Sequence, residues 1–406
     1  MYIKRHIEKL VKNSLRTYPS VLITGPRQVG KSTVLKQMFP KLNYETLDDP
    51  FLLQTIKNDP VGYLKLQGTP FIIDEVQRVP EIFLSLKYLI DTDKRNGMYL
   101  LTGSQKFELM KNVSESLSGR IDVLNLLGLS SREIYDDDFS DPFIPTLNYL
   151  TDRNTKISTD LKQMWERIHK GSMPKLYDDE TVDWQRYYAD YVNTYLERDI
   201  QNLEQVGNTL SFLQFMTVLA SRTGELLNME SIAQEIGVSA PTIKKWIAIL
   251  QKTNIIFLLQ PFSNNINKRI VKTPKIYFTD TGLVCYLCKW LTTDTLINGA
   301  MAGSIYETFV ISEILKSYYN AGKEPNLFFF RNTDGQEVDL LIYQDGTLYP
   351  IEIKKTSSPN VKDIKHFKTL STYFPTTNIG EGGIICNYEK LLPIAENNKV
   401  IPISFI

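Results

Sequence analysis

The sequence predicts an α/β protein: an N-terminal parallel sheet with helices on both faces, followed by a helical linker and two smaller units. Short apolar stretches alternate with helical segments in the first third of the chain, which is the pattern of strands joined by helical crossovers. The first apolar stretch, Ser20–Thr24, ends in a glycine-rich turn. At 406 residues the chain exceeds one typical domain of roughly 150 residues, so we expect several cores.

The units are assigned from changes of pattern along the chain. After an amphipathic helix over residues 1–18, strands are predicted at 20–24, 44–47, 69–74 and 97–102. The pattern then becomes mainly helical, continues into helices with a hairpin, and ends in an α/β region. We therefore predict domain ranges of 1–130, 131–205 for a helical linker or lid, 206–290, and 291–406.

Composition restricts the partners. Lys plus Arg and Asp plus Glu each total 46, so no overall charge excess indicates nucleic acid or a membrane surface, and any such surface must be local. No apolar run reaches the roughly 18 residues that span a bilayer. The first ten residues are charged and lack the apolar core of a signal peptide. We expect a soluble, cytoplasmic protein without a membrane partner.

The glycine-rich turn matches the G-x-x-x-x-G-K-[ST] pattern of phosphate-binding loops, and it lies between a predicted strand and a predicted helix. Glycines let backbone N–H groups turn toward phosphates, and the helix N-terminus adds positive potential. Lys31 is expected to reach the β- and γ-phosphates of ATP, and Ser32 to coordinate Mg²⁺. The predicted nucleotide-binding residues are Gly25, Pro26, Arg27, Gln28, Val29, Gly30, Lys31, Ser32 and Thr33.

Two carboxylates complete this candidate site. Asp74 and Glu75 follow an apolar strand at its C-terminal end, where α/β sheets hold ligands. Asp74 is expected in the Mg²⁺ shell, and Glu75 is suited to orient or deprotonate the attacking water. Ser104 follows the next strand and is a candidate sensor of the γ-phosphate or the water. Arg120 is a candidate to act in trans if subunits form a homo-oligomer, and a surface salt bridge is the alternative.

Five motifs together resemble a known family. They are Gly25 to Thr33, Leu47-Asp-Asp-Pro50, Ile73-Asp-Glu-Val-Gln77, Leu101-Thr-Gly-Ser-Gln105 and Ser116-Leu-Ser-Gly-Arg120. These motifs are similar to those of bacterial and archaeal AAA-type P-loop ATPases that carry a C-terminal DUF4143 domain, and the similarity covers most of the chain. The resemblance implies an AAA+ related ATPase in the N-terminal half. It leaves the role of the C-terminal half open.

The third unit resembles a winged helix. Residues 229–236 and 240–250 are predicted as two helices joined by a short turn, with Ser239 as the N-cap of the second helix. DNA binding by the second helix and a basic hairpin tip is one interpretation, and a rigid spacer or protein contact is the other. The basic residues in question are Lys244, Lys245, Lys268, Arg269 and Lys272.

Charged residues on a predicted hairpin form a second candidate site. The Asp-Gly pair at 345–346 is a strong two-residue turn signal. Its register sets Asp339 across from Glu352, and Glu337 across from Lys354, on one face of the hairpin. Directly opposed carboxylates repel each other unless a cation compensates.

This cluster is a candidate metal centre. Asp339 and Glu352 are the predicted oxygen ligands of Mg²⁺ or Mn²⁺, and Lys354 would orient water or steady developing charge. The spacing resembles the D…(E)-x-K core of PD-(D/E)-x-K nucleases, which implies a restriction-endonuclease-like fold for 291–406, with Glu307 as an additional acid from a preceding helix. A solvated charged sheet face or an inactive remnant is the alternative.

Two hypotheses of function follow. In the first, a Mg²⁺-dependent ATPase in 1–130 controls a C-terminal module that handles DNA, with metal-dependent DNase activity as one use of that module. In the second, the protein is a nucleotide-gated interaction module whose nuclease-like domain is inactive. Retention of DNA and dependence on metal would separate them.

Overall fold

The computed structural model describes residues 2–104, 116–153, 160–195, 209–263 and 273–406. Its N-terminal sheet has five parallel strands in the order β2-β3-β4-β1-β5. They are β1 Ser20–Thr24, β2 Asn43–Thr46, β3 Phe71–Asp74, β4 Tyr99–Gly103 and β5 Ile121–Asn125. Parallel pairing brings all five carboxyl ends to one edge of the sheet.

Helices cover both faces of this sheet, as the sequence predicts. They are α1 Ile7–Thr17, α2 Lys31–Met38, α3 Pro50–Asn58, α4 Pro60–Gln67 and α5 Ile82–Asp93, with a 3-10 turn at Val76–Arg78. Side chains alternate along a strand, so Val21 and Ile23 pack in one apolar core while Leu22 packs in a second core with α3, α4 and α5. The predicted α/β class is confirmed.

Helices dominate the middle of the chain. They are α6 Ser131–Ile134, α7 Leu147–Arg153, α8 Leu161–Lys170, α9 Lys175–Asp178, α10 Trp184–Tyr195, α11 Thr209–Ser221, α12 Met229–Ile236 and α13 Ala240–Lys252. Between the last two, Gly237 adopts a left-handed conformation (φ 77°), which glycine takes without a Cβ penalty. The Ser239 hydroxyl then accepts from Thr242 N and starts α13.

The C-terminal part is built on a mixed sheet. Its order is β13-β14-β12-β10-β9-β8-β6-β7, and β11 pairs with β10. The strands are β6 Ile256–Pro261, β7 Lys275–Phe278, β8 Leu327–Arg331, β9 Glu337–Gln344, β10 Thr347–Lys354, β11 Asn378–Ile379, β12 Gly382–Cys386, β13 Leu392–Ala395 and β14 Asn398–Pro402. The helices are α14 Thr281–Leu287, α15 Thr293–Ile297, α16 Ala302–Asn320 and α17 Leu370–Tyr373, with 3-10 turns at Val361–Thr369 and Ile403–Phe405.

The β6–β7 hairpin extends this C-terminal sheet. Its strand β6 pairs in parallel with β8 through Gln260 and Phe328. Residues on both sides of the predicted limit at 290 therefore share one sheet, and the four domain ranges stay a prediction. The basic tip residues Lys268, Arg269 and Lys272 lie outside the described residues.

The predicted hairpin register is confirmed where β9 and β10 pair. Gln344 lies opposite Thr347 and Leu340 opposite Ile351. The turn residues Asp345 (φ 49°) and Gly346 (φ 77°) are both left-handed, as a two-residue type I′ turn requires. Within the described ranges, no helix combines the length and apolar character needed to cross a bilayer.

Candidate functional site

The glycine-rich loop connects the end of β1 to the start of α2, as predicted. Gly25 has φ +155°, and a Cβ built there would lie 1.9 Å from Leu126 O. Gly30 is left-handed (φ 90°) and directly precedes α2. The loop therefore approaches the backbone after β5 closely at Gly25 and leads directly into the N-terminus of α2, where backbone N–H groups can bind phosphate.

Lys31 lies inside this loop. Its buried ammonium group donates to Gly25 O at 3.2 Å and to Pro26 O at 2.8 Å. The lysine charge is therefore held at the centre of the loop, beside the backbone that would surround a phosphate.

Asp74 is bound by hydroxyl groups from three directions. Its Oδ1 accepts from Ser32 Oγ at 2.7 Å and also from Thr102 Oγ1, and its Oδ2 accepts from Tyr44 OH at 2.6 Å. Burial, and then the Asp74 carboxylate, raise the pKa of Tyr44, so its hydroxyl remains a donor. A serine hydroxyl beside a buried carboxylate is a hard oxygen donor set, which fits Mg²⁺.

Glu75 lies next to Ser104. The backbone of Glu75, at the end of β3, adopts a left-handed conformation (φ 57°). Non-glycine residues with this conformation cluster at functional sites. Gln77 Nε2 donates to Glu75 Oε2 and to Ser104 Oγ (3.1 Å), and Ser104 Oγ donates to Glu75 Oε2 at 3.3 Å. The structure thus brings the predicted hydrolytic and sensor residues together, while Gln105 lies outside the described residues.

Arg120 is not brought to this site within its own chain. Its carbonyl accepts from Ser20 N at the start of β1, so Arg120 lies at the amino-terminal end of β1, whereas the loop follows its carboxyl end. At about 3.3 Å per strand residue, the length of β1 separates the two by roughly 16 Å. Its guanidinium group donates to both carboxylate oxygens of Asp91 on α5, at 2.6 and 3.1 Å. The surface salt bridge that the sequence left open is therefore present.

A cavity of about 380 Å³ lies beside the loop. The buried Arg5 side chain borders it and donates to Val29 O (2.8 Å), Leu127 O (2.8 Å) and Glu133 Oε1 (2.9 Å). Sequence reasoning missed Arg5, because its partners are distant in the chain. The lining residues are Tyr2, Ile3, Arg5, Thr33, Gln37 and Lys175, among others.

In the C-terminal sheet, the predicted residues Asp339, Glu352 and Lys354 come together. Lys354 Nζ lies 2.7 Å from Glu352 Oε1 and 3.5 Å from Asp339 Oδ2. Asp339 Oδ2 also accepts from Ile353 N at 2.9 Å. Burial, and then the neighbouring Asp339 carboxylate, raise the pKa of Glu352.

Glu307 joins the same cluster through Lys275, which the sequence analysis did not identify. Lys275 Nζ lies 3.2 Å from Glu307 Oε1 and 2.5 Å from Glu337 Oε1, and Tyr277 OH donates to Glu307 Oε1 at 2.5 Å. The Glu337 carboxylate contacts the buried Lys275, and the pairing of β9 with β10 is described only as far as Leu340 and Ile351, so the placement of Glu337 across from Lys354 stays a prediction. Burial, and then Asp339, raise the pKa of Glu307.

The prediction of a metal centre in this cluster has no support from the geometry. Across the described ranges, no group of three or more His, Cys, Asp and Glu side chains is placed to share a metal ion. Lys275 and Lys354 supply the compensating positive charge directly. Lys354 could be predicted from the sequence because it lies two residues after Glu352. Lys275 could not, because it lies on a separate hairpin.

Comparison with known proteins assigns three regions. Residues 17–135 match the AAA domain, residues 161–294 match a domain of unknown function, DUF8612, and residues 302–406 match a second one, DUF4143. The chain carries an AAA domain and a DUF4143 domain. The AAA domain is the part that contains the glycine-rich loop, and its P-loop ATPase type of fold supports ATP binding and hydrolysis.

Similar proteins cover most of the chain. The uncharacterized protein Rv2008c of Mycobacterium tuberculosis is 27% identical over 404 residues, which are 98% of this chain and 83% of that protein. The uncharacterized protein MJ1637 of Methanocaldococcus jannaschii is 22% identical over 357 residues, 76% of this chain and 70% of that protein. Among solved structures, the Walker-type ATPase PABY2304 of Pyrococcus abyssi has a TM-score of 0.43 and 16% identity, covering 70% of this chain and 96% of that one.

Proposed function

We propose that this protein binds ATP with Mg²⁺ at residues 25–33, hydrolyses it, and uses the nucleotide state to control its C-terminal part. The observation that carries this proposal is the 2.7 Å hydrogen bond from Ser32 Oγ to Asp74 Oδ1. It joins the end of the phosphate loop to the end of β3, where P-loop ATPases hold Mg²⁺. Mg²⁺ would be held by Ser32 and Asp74 and would supply positive charge that offsets the charge of the phosphates.

The remaining residues of the AAA domain have roles that follow from their contacts. The Lys31 ammonium would exchange its loop carbonyl partners for phosphate oxygens, because the negative charge of a phosphate attracts the ammonium more strongly than a neutral carbonyl does. Glu75 would orient the attacking water or accept its proton, with Gln77 and Ser104 holding its carboxylate. The adjacent cavity of about 380 Å³ would take the base and ribose.

Replacing Glu75 tests the hydrolytic assignment. Glu75→Gln keeps a side chain of the same size but removes the base, so ATP binding should stay at the wild-type level. Turnover should fall by at least about 100-fold, the usual contribution of a general base. Glu81→Gln, an exposed glutamate on the next segment, is the matched control. Equal turnover by wild type and Glu75→Gln rejects the assignment.

We also propose that Arg120 acts in trans within a homo-oligomer. Its side chain lies near the surface, at the end of the sheet opposite the loop, and it would have to release Asp91 to act on a neighbouring subunit. Hydrolysis per subunit should then rise with protein concentration. A flat dependence together with full activity in Arg120→Ala removes this role.

For the C-terminal part, we propose a module that handles DNA. Asp339, Glu352 and Lys354 lie side by side in the manner of the D…(E)-x-K core. In addition, α12 and α13 with the β6–β7 hairpin support a winged helix, whose Lys244 and Lys245 are exposed on α13 and would contact DNA phosphates. Metal-dependent DNA cleavage would require Lys354 to give up its place between the two carboxylates.

A nucleotide-gated interaction module is the second candidate. The observation that favours it is that Lys275 and Lys354 contact all four carboxylates of the acidic cluster, Glu307, Glu337, Asp339 and Glu352. These contacts offset part of the repulsion between the carboxylates without a metal ion.

DNA cleavage separates these two candidates. Linear, branched and single-stranded DNA are incubated with Mg²⁺ or Mn²⁺, with and without ATP, using wild type, Asp339→Ala and the control Asp334→Ala, an exposed residue of the same domain. Cleavage that is lost only in Asp339→Ala supports the nuclease. No cleavage under any condition favours the interaction module.

A further inference from the structure

The two oxygens of the Asp74 carboxylate have different hydrogen-bond partners. Oδ1 accepts from both Ser32 and Thr102, whereas Oδ2 accepts from Tyr44 OH at 2.6 Å. Ser32 is itself a proposed Mg²⁺ ligand, so its bond to Asp74 is expected to rearrange when metal binds. Thr102 and Tyr44 are then the groups that still hold the carboxylate, one on each oxygen.

The Tyr44 side chain is held in position by its neighbours. It lies on β2, which pairs in register with β3, with Tyr44 opposite Ile72 and Thr46 opposite Asp74. Lys36 Nζ of α2 lies 3.6 Å from the centre of the Tyr44 ring, a cation–π contact that restrains the ring. The hydroxyl is therefore held both by its strand and by the helix that carries the phosphate loop.

We infer that Tyr44 is a positioning residue that orients Asp74 toward Mg²⁺ bound with nucleotide. This inference rests on the proposed ATP site. The Cβ–Cγ torsion of an aspartate is broad, so a carboxylate held on one oxygen alone can rotate away from the orientation in which it would hold Mg²⁺. Residues that hold a metal's ligands typically change metal affinity by about 10- to 100-fold when they are replaced.

The test measures nucleotide binding rather than activity. The affinity for ADP is determined by calorimetry with and without Mg²⁺, in wild type and in Tyr44→Phe. The variant should bind ADP without Mg²⁺ as wild type does, while the gain in affinity caused by Mg²⁺ should fall by about tenfold. Tyr44→Leu, which also loses the ring, should show at least the same loss, because the hydroxyl is the group that matters.

Tyr63→Phe is the matched control. Its hydroxyl is buried in the same domain and has no hydrogen-bond partner among the residues that the structure describes, so its removal should leave the Mg²⁺-dependent gain unchanged. An unchanged gain in Tyr44→Phe overturns the inference, and so does an equal loss of affinity with and without Mg²⁺, which indicates a purely structural role. Absence of any Mg²⁺-dependent gain in the wild-type protein contradicts the proposed function itself.

Discussion

At the scale of single residues, the phosphate loop depends most closely on Gly25. A Cβ at this position would lie 1.9 Å from Leu126 O, and Leu126 N is itself bonded to Thr24 O at 2.8 Å. The backbone cannot move aside without breaking this bond. Gly25→Ala should therefore destabilise the protein by about 1–3 kcal/mol and abolish ATP binding, as measured by thermal melting and nucleotide titration.

Gly303 provides the control for this prediction. It lies on α16, and a Cβ built there meets nothing within 4 Å. Alanine is favoured over glycine in a helix by up to about 1 kcal/mol, so Gly303→Ala should melt at the same or a higher temperature and bind ATP normally. Normal ATP binding by Gly25→Ala would contradict the close approach of the loop to Leu126.

Residue identities in the loop were predictable because the motif is contiguous. Gly25 to Thr33, Asp74 and Glu75 each follow a recognisable apolar strand. Tyr44 and Lys275 carry no comparable local pattern. They reach Asp74 and Glu307 only because sheet pairing brings separate segments together, so the sequence alone does not reveal them.

At the scale of elements, the segment that precedes α1 holds the phosphate loop in place through Arg5. Its guanidinium group bonds Val29 O in the loop and the buried carboxylate of Glu133. Burial opposes ionisation of Glu133, yet the Arg5 charge holds the pKa of Glu133 below its usual value. Arg5→Met should cost about 3–5 kcal/mol, because it leaves this carboxylate buried without its cation.

Urea denaturation of Arg5→Met and Lys4→Met measures this cost. Lys4 is the adjacent residue, and its ion pair with Asp138 is exposed, so Lys4→Met should unfold at nearly the same urea concentration as wild type. Similar losses in the two variants would contradict the role assigned to the buried network.

The strands show which elements a sequence can predict. Strand β1 and the β9–β10 register follow from an uninterrupted apolar run and from an Asp-Gly turn. Strand β5, Ile121–Asn125, was not predicted. Its Asp122 and Asn125 interrupt the apolar pattern, and it becomes a strand because its backbone pairs with β1 along its whole length.

At the scale of the whole molecule, helix α16 connects the C-terminal cluster to the AAA domain. Near its start, Glu307 contacts Lys275, and further along Glu313 Oε2 accepts from Ser131 N at 2.5 Å, just after the AAA sheet. Lys316 on the same helix donates to Leu129 O at 3.1 Å. Helix α16 therefore contacts both the C-terminal cluster and the segment that follows the AAA sheet, although their separation in the sequence gave no indication of this connection.

Glu313 should make the contact between α16 and the AAA domain sensitive to acid. Burial opposes its ionisation, but Lys316 and Arg167 lower the pKa of Glu313 to about 2. Because this pKa lies below the unfolded value of about 4.3, the stabilisation is complete above pH 5 and is lost as the pH falls toward 2. Glu313→Gln should cost about 3–5 kcal/mol at pH 7, and the difference from wild type should shrink at pH 3.

Urea unfolding at both pH values checks this prediction. The control is Glu166→Gln, whose partner Lys162 lies 3.9 Å away at the surface, and its effect should stay within about 0.5 kcal/mol. A Glu313→Gln variant as stable as wild type at pH 7 would contradict the proposed connection.

The most direct test of the central claim is a calorimetric titration of ATP with Mg²⁺ into wild type, Lys31→Ala and Lys57→Ala. Lys31 is buried inside the phosphate loop, whereas Lys57 is exposed on α3 of the same domain. We predict that wild type and Lys57→Ala bind ATP equally and that Lys31→Ala does not bind. Wild-type affinity in Lys31→Ala would show that nucleotide does not bind in this loop and would contradict the account.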